Sequence, residues 1–273
     1  MTAAALPAAL WGFAVAAALF GAVWAASVVR RDASLVDRFW GLGFVVLAWW
    51  YVVSAGAPGL LAAGLASAWG LRLSGYITWR NRGKGEDRRY AVMRERHGRG
   101  FALRSLFTVF LLQALLLWVI AFPLFAAARG ETIGGGAGAA LATAGAAVWL
   151  VGFAFESAGD FQLARFKRDP TNRGRVLDRG LWRYTRHPNY FGDILVWWGL
   201  YLVACAHGGW WTVFAPVLMT VFLARVSGVT LLERQLRESK PGYADYVRRT
   251  SALVPWPPRR GAGGADSGAD RLR

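Results

Sequence analysis

The sequence predicts an all-α fold, a polytopic transmembrane helical bundle of about seven spans. Two observations predict it. First, 55% of the 273 residues are hydrophobic and the mean hydropathy is +0.31. Long apolar runs with almost no charge recur, which a soluble domain rarely shows. Second, the net charge of +16 is segregated, because the bases flank the apolar runs. Membrane topology therefore explains the charge ahead of nucleic-acid binding.

Each span follows from its own residues. The first covers about Ala8 to Val29, with Ala16, Ala17, Ala18, Gly21 and Ala25 allowing close helix contact. Met1-Thr2-Ala3 lacks a basic n-region, so this run reads as a retained span. A polar hinge, Arg30 to Arg38, leads to the second span, about Phe39 to Ala55. Gly56-Ala57-Pro58-Gly59 is a turn. The third span runs from about Leu60 to Trp79 and contains Arg72 and Tyr76. A basic loop, Arg80 to Arg104, precedes the fourth span at about Leu106 to Ala128. The glycine-rich link Gly130 to Gly138 lacks the Lys-Ser/Thr ending of a phosphate loop and reads as a turn. The fifth span covers about Ala139 to Ser157, and a second basic loop runs from Gly159 to His187. The sixth and seventh spans cover about Asn189 to Ala206 and Gly209 to Val229. One membrane-embedded domain is expected over residues 1–258, and a disordered tail over residues 259–273.

Seven spans put the hinge, both basic loops and the tail on one side. The opposite side then carries Arg129 as its only Lys or Arg. The positive-inside rule makes the basic side cytoplasmic, with the N-terminus outside and the C-terminus inside. The expected location is a bacterial inner membrane. Cys205 is the single cysteine, and His97, His187 and His207 are far apart, so no metal site is expected.

The densest meeting of charge, rings and backbone punctuation is Arg179 to Asp193. Pro188 suits the first turn of a helix, where its missing N–H would be unpaired anyway. A helix starting there points its positive end, with Arg186 and His187, at the aqueous side and favours anions. Ionisable residues within spans are costly and mark sites or internal pairs. Arg72, Glu156, Asp160, Asp193 and Arg225 all fall in the cytoplasmic half, and Glu156 and Asp160 lie one helical turn apart. With glycines between their bases, the two basic loops suit a phosphate-rich ligand. The apolar spans suit a lipid-like substrate.

The stretch Gly180-Leu181-Trp182-Arg183-Tyr184-Thr185-Arg186-His187-Pro188-Asn189-Tyr190-Phe191-Gly192-Asp193 resembles the signature of the steroid 5α-reductase superfamily, in its DUF1295 branch. Asp37, Trp40-Gly41, Arg72, Glu86 to Tyr90, Glu156, Asp160, Gln162, Phe166, Glu233, Pro241 to Tyr246 and Pro255-Trp256 extend the resemblance over about residues 30–258. It implies a membrane reductase that uses NADPH to reduce an activated C=C bond, as in an enone of a steroid or other lipid. By position, Asp160, Lys167, Asn189 and Tyr190 resemble the family's cofactor contacts, joined here by Arg186, His187 and Asp193. The family usually carries Glu where this chain has Asp193. Its catalytic acid pair on early spans is not matched by a motif; the positional candidates are Asp37 and Tyr76. Enone reduction needs hydride at the β-carbon and stabilisation of the developing enolate oxygen. Tyr76, Arg72 and Tyr190 are candidates for that stabilisation.

Two alternatives compete. Arg186-His187-Pro188 with Tyr190 and Gly192 also resembles isoprenylcysteine-type methyltransferases, which use S-adenosylmethionine. Asn189 and Asp193, and the number of cationic loops, favour a 2′-phosphorylated dinucleotide instead. The second alternative is a lipid-binding membrane protein without enzymatic activity.

Overall fold

A computed structural model describes residues 5–55, 59–226, 233, 236 and 240–259. Most of the expected turn at Gly56 to Gly59, the end of the seventh span and the tail beyond Arg259 lie outside the described residues. The described residues are overwhelmingly helical, and no strand occurs among them. Thr185 and Ser251 form one isolated parallel bridge. Four helical stretches are long and apolar enough to cross a membrane: Leu6–Arg30, Leu35–Ala55, Arg88–Ile120 and Gly135–Arg168.

The chain groups into two compact units. The first comprises Met1–Trp149 and Val196–Leu218, the second Leu150–Leu195 and Met219–Arg273. Two long helices each contribute residues to both.

In the first unit, α1 (Ala5–Arg30), α2 (Leu35–Ala55) and α3 (Leu60–Asn81) are the first three apolar runs. At 21 to 26 residues each, they are about 30–40 Å long, enough for a hydrocarbon core of about 30 Å. The crossing of α2 and α3 is set by two glycines. A Cβ on Gly41 would lie 2.5 Å from Gly70 O, and one on Gly70 would lie 2.4 Å from Gly41 O. Nothing larger fits, so the backbones touch. Around this contact Phe44, Trp69 and Trp197 pack together, the two indoles edge to face and the phenyl tilted to both, with ring centroids 4.5 to 5.7 Å apart.

The first basic loop is not wholly irregular. It contains α4 (Arg88–His97), a 3-10 turn (Gly98–Gly100) and α5 (Phe101–Ser105). Asp87 caps α4 by accepting the Arg89 N–H at 2.9 Å, an N-terminal signal that was legible at Asp87. A π-helical turn (Leu106–Leu111) then enters α6 (Leu112–Ile120). The expected fourth span breaks at Ala121, and α7 (Phe122–Arg129) follows. Pro123 explains the break, since it cannot donate into the preceding turn.

The loops of this unit sort to two ends. At one, Arg129 Nη2 donates to Ser54 O at 2.9 Å and the Ile133 N–H donates to Ala206 O at 2.9 Å. At the other, the Ala33 N–H donates to Glu86 Oε1 at 2.7 Å.

In the sequence, α8 is expected to end near Ser157; it continues through Arg168 (Gly135–Arg168). No breaker intervenes before Asp169-Pro170, so Glu156, Asp160 and Lys167 share one continuous helix. The sixth run forms α9 (Pro188–Cys205), which starts at the expected proline. After a 3-10 turn (Gly209–Val213) come α10 (Phe214–Val221) and a π-helical turn (Phe222–Val226). The last helix among the described residues is α11 (Tyr243–Arg249).

Candidate functional site

The second unit is built on close approach of α8 and α9. A Cβ on Gly192 would lie 2.4 Å from Glu156 N and 2.5 Å from Gly152 O. A Cβ on Gly159 would lie 3.1 Å from Asn189 N. These small residues let the polar side chains of both helices meet inside the packing. Glu156 and Asp160 are buried at 3% and 6% exposure. Asn189 Nδ2 donates to Asp160 Oδ1 at 3.2 Å. The Asn189 Oδ1 acceptor is buried and receives no hydrogen bond among the described residues. Asp193 is half-buried one turn further along α9. A Gly192→Val substitution drives its side chain into α8 backbone and is expected to destabilise by about 1–3 kcal/mol or more. Thermal unfolding in detergent measures the loss, and Gly64→Val, at a helical glycine with nothing within 4 Å of an added Cβ, is the matched control for steric crowding.

The segment before α9 departs from expectation. Arg186 and His187 are not directed at water: they are 8% and 1% exposed. Glu233 accepts Arg186 Nε at 2.7 Å and Nη2 at 3.2 Å, and its Oε1 lies 3.1 Å from His187 Nε2. Arg186 Nη1 donates to Val247 O at 3.1 Å and also to Thr250 O. Most guanidinium donors are therefore committed internally, and the expected anion-gripping role of Arg186 gives way to holding the C-terminal segment. The reason is a partner 47 residues away. Burial opposes the Glu233 charge, but His187 and Arg186 outweigh it and hold the carboxyl at about 2, below its ordinary 4.5.

The same segment is pinned along its length. The Arg186 N–H donates to Ser251 O at 2.9 Å, Thr185 Oγ1 to Leu253 O at 2.8 Å, and the Trp256 N–H to Tyr184 O at 2.9 Å. Trp182 Nε1 donates to Gly159 O at 3.1 Å, and the Tyr246 hydroxyl donates to Trp182 O. Gly180, at φ 63°, packs on Gln162, whose Oε1 accepts the Leu181 N–H at 3.0 Å. This scaffold fixes the start of α9, and thereby Asn189 and Tyr190. The Tyr190 ring stacks on His187 with centroids 5.2 Å apart and planes at 6°.

A small cavity of about 100 Å³ lies in this unit, lined in part by Lys167, Lys240, His187, Trp182 and Tyr246. Lys240 Nζ donates to Arg175 O at 2.7 Å, and burial pulls its pKa down. The structure thus brings His187 and Lys167 to one cavity and Asp160 and Asn189 into one hydrogen bond. Glu233 was legible as part of the resemblance but not as a site residue. The signal was Arg186-His187 beside an apolar run, two adjacent donors that require a buried carboxylate.

In the first unit, Asp37 Oδ1 accepts the Tyr90 hydroxyl at 2.9 Å and its Oδ2 accepts Arg89 Nη2 at 2.9 Å. The phenol that meets Asp37 is therefore Tyr90, which the sequence reading did not select. Tyr76 lies between two cations of its own helix face. The Arg72 guanidinium carbon is 5.9 Å and that of Arg80 5.6 Å from its ring. Nearby in sequence, Glu86 accepts both Arg94 Nη2 at 2.8 Å and Nε at 2.9 Å. Burial works against its charge, but Arg94 and the Ala33 N–H prevail and hold the Glu86 carboxyl below the ordinary range.

An uncharacterized protein of Schizosaccharomyces pombe is 28% identical over 268 residues, covering 85% of this chain and 75% of that one. No solved structure matches the chain significantly. The profile of a family described as protein of unknown function DUF1295 matches residues 23–250, and with the match covering most of its length, the chain belongs to the DUF1295 family.

Proposed function

We propose that the protein is a membrane reductase of the steroid 5α-reductase superfamily, which uses NADPH to reduce an activated C=C bond in a steroid-like or other lipid enone. The observation that carries the reading is the Asp160–Asn189 pair with its buried Asn189 Oδ1, which receives no hydrogen bond among the described residues. A buried acceptor without a donor is expensive, and the carboxamide N–H of a nicotinamide supplies a donor of the right kind. The residues present therefore fit the cofactor. Asp160, Asn189, Tyr190 and Asp193 would hold it, with Lys167 meeting its phosphates. When bound it supplies the hydride. Arg186 and His187 support this set from behind, through Glu233 and the stack on Tyr190.

The first unit carries acid–base groups of its own: the Asp37 carboxylate accepts the Tyr90 hydroxyl and Arg89, and Tyr76, beside Arg72 and Arg80, has a hydroxyl of the kind that steadies an enolate oxygen. The purified protein is expected to show a rise in thermal midpoint with NADPH and none with S-adenosylmethionine, and to oxidise NADPH with a panel of lipid enones. A shift with S-adenosylmethionine alone would move the protein to the methyltransferase class.

The proposal includes seven spans with the N-terminus outside, in a bacterial inner membrane. The four long apolar stretches, together with α3, α9 and the 209–225 segment, make up that number. The meeting of Arg129 with Ser54 and of Ile133 with Ala206 at one end of the first unit supports it. In a Cys205→Ser background, an impermeant maleimide added to intact cells should label Glu131→Cys and leave Lys84→Cys unlabelled until the membrane is opened. The reverse pattern would invert the topology.

A further inference from the structure

We propose that a cavity between the C-terminal end of α1 and the α4–α5 corner binds the phosphate headgroup of an anionic phospholipid. This does not rest on the reductase reading. The cavity measures about 480 Å³, and its lining includes Ser27, Val28, Arg31, Arg94, Arg99 and Phe101. Three cations thus line one cavity, and their partners decide what it can bind.

Arg94 is neutralised by Glu86 and lies with its guanidinium carbon 4.5 Å from the centre of the Phe101 ring, so it forms a fixed wall. Asp32, the other nearby carboxylate, is taken by Arg38 at 3.1 Å. No ion pair engages Arg31 or Arg99 among the described residues, and both are exposed. The cavity therefore keeps a positive excess. Ser27 Oγ donates to Trp24 O and Ser105 Oγ to Ala102 O, so the serine hydroxyl protons are spent within their own helices. Recognition falls to the two arginines, whose planar donors suit phosphate oxygens.

Position 31 adds an independent argument. It follows the last residue of α1 and has φ 52°, the only positive φ at a non-glycine among the described residues. Glycine is the ordinary residue at such a helix stop, because a Cβ there is strained. Arginine is a costly choice unless its charge is used.

The surroundings point to a lipid rather than a solute. The cavity lies where one apolar membrane-length segment, Leu6–Arg30, ends and beside the basic first part of another, Arg88–Ile120. Trp24 Nε1 ties them together by donating to Ala102 O at 2.9 Å. Next to the cavity in sequence, Val29 is 85%, Leu103 64% and Phe107 58% exposed. Cationic residues beside bare apolar ones at a membrane boundary match a phosphate attached to acyl chains.

The full chain in nanodiscs tests this. Wild type is expected to retain phosphatidylglycerol over phosphatidylcholine by native mass spectrometry. Arg31→Gln and Arg99→Gln should each weaken retention about fivefold, while Arg129→Gln, at the opposite end of the unit, leaves it unchanged. Arg31→Gly removes the charge and the backbone strain together, so it should lose the lipid while unfolding no earlier than wild type in phosphatidylcholine. Undiminished retention in Arg31→Gly and Arg99→Gln, or equal retention of phosphatidylcholine, overturns the proposal. If inorganic phosphate in phosphatidylcholine nanodiscs stabilises wild type as much as phosphatidylglycerol does, the ligand is free phosphate and the lipid assignment fails.

Discussion

Replacing Glu233 by alanine is expected to destabilise the second unit by about 3–5 kcal/mol, the usual result of stripping one partner from a buried ion pair. The carboxylate takes two guanidinium bonds from Arg186 and faces His187 Nε2. Without it, a guanidinium that is 8% exposed keeps its carbonyl contacts at Val247 and Thr250 but loses its counter-charge. Those carbonyls belong to the stretch that pairs with Tyr184, Thr185 and Arg186, so the C-terminal segment should loosen first. Proteolysis between residues 240 and 259 should speed up before the global unfolding midpoint is reached. Glu233→Gln keeps a carbonyl oxygen for Arg186 and should lose markedly less. The pH dependence follows from the depressed carboxyl. Its folded value, about 2, lies below its ordinary 4.5, so the unfolded chain binds the proton more readily. The stabilisation is full above about pH 4.5 and disappears as pH falls through about 2. In Glu233→Gln that part of the acid titration of stability should vanish; an unchanged acid limb would mean that Glu233 is not the group responsible.

The same triad shows where sequence reasoning stops. Apolar runs fix which segments become long helices, because each must bury its backbone bonds internally in a membrane. Pro188 marks the start of α9, and the four-residue spacing of Glu156 and Asp160 places them on one face. These signals are local. The fate of Arg186 and His187 is not local: their shared carboxylate is 46 and 47 residues away, and without it the pair reads as an exposed basic flank. Tyr90 escaped selection for a similar reason. It sits in a stretch that composition makes a loop, yet it is 53 residues from the Asp37 that it bonds. Glycines carried more than they showed. Gly41, Gly70 and Gly192 look like ordinary small residues of apolar helices, but each faces a backbone that a Cβ would strike. The extension of α8 to Arg168 was legible in principle, as no Gly or Pro lies between Gly159 and Asp169.

Asn189→Ala is expected to weaken NADPH binding about five- to hundredfold while leaving the fold intact. The side chain uses its amide N–H on Asp160 Oδ1 at 3.2 Å and keeps its carbonyl oxygen without a donor among the described residues. Deleting it removes the acceptor offered to the carboxamide and also leaves the 6% exposed Asp160 short of one hydrogen bond. Each such loss amounts to about 1–3 kcal/mol, and every 1.4 kcal/mol is about tenfold in Kd. A structural role alone makes a different prediction: the apo thermal midpoint would fall while the increment given by NADPH stayed the same. Asn189→Asp separates the two further. It keeps the size and the acceptor but faces Asp160 with a second carboxylate and removes the N–H donor. It should therefore bind NADPH more weakly than wild type although the acceptor remains. Binding of NADPH by Asn189→Ala at wild-type affinity would remove the observation on which the reductase reading stands, whichever lipid is the substrate.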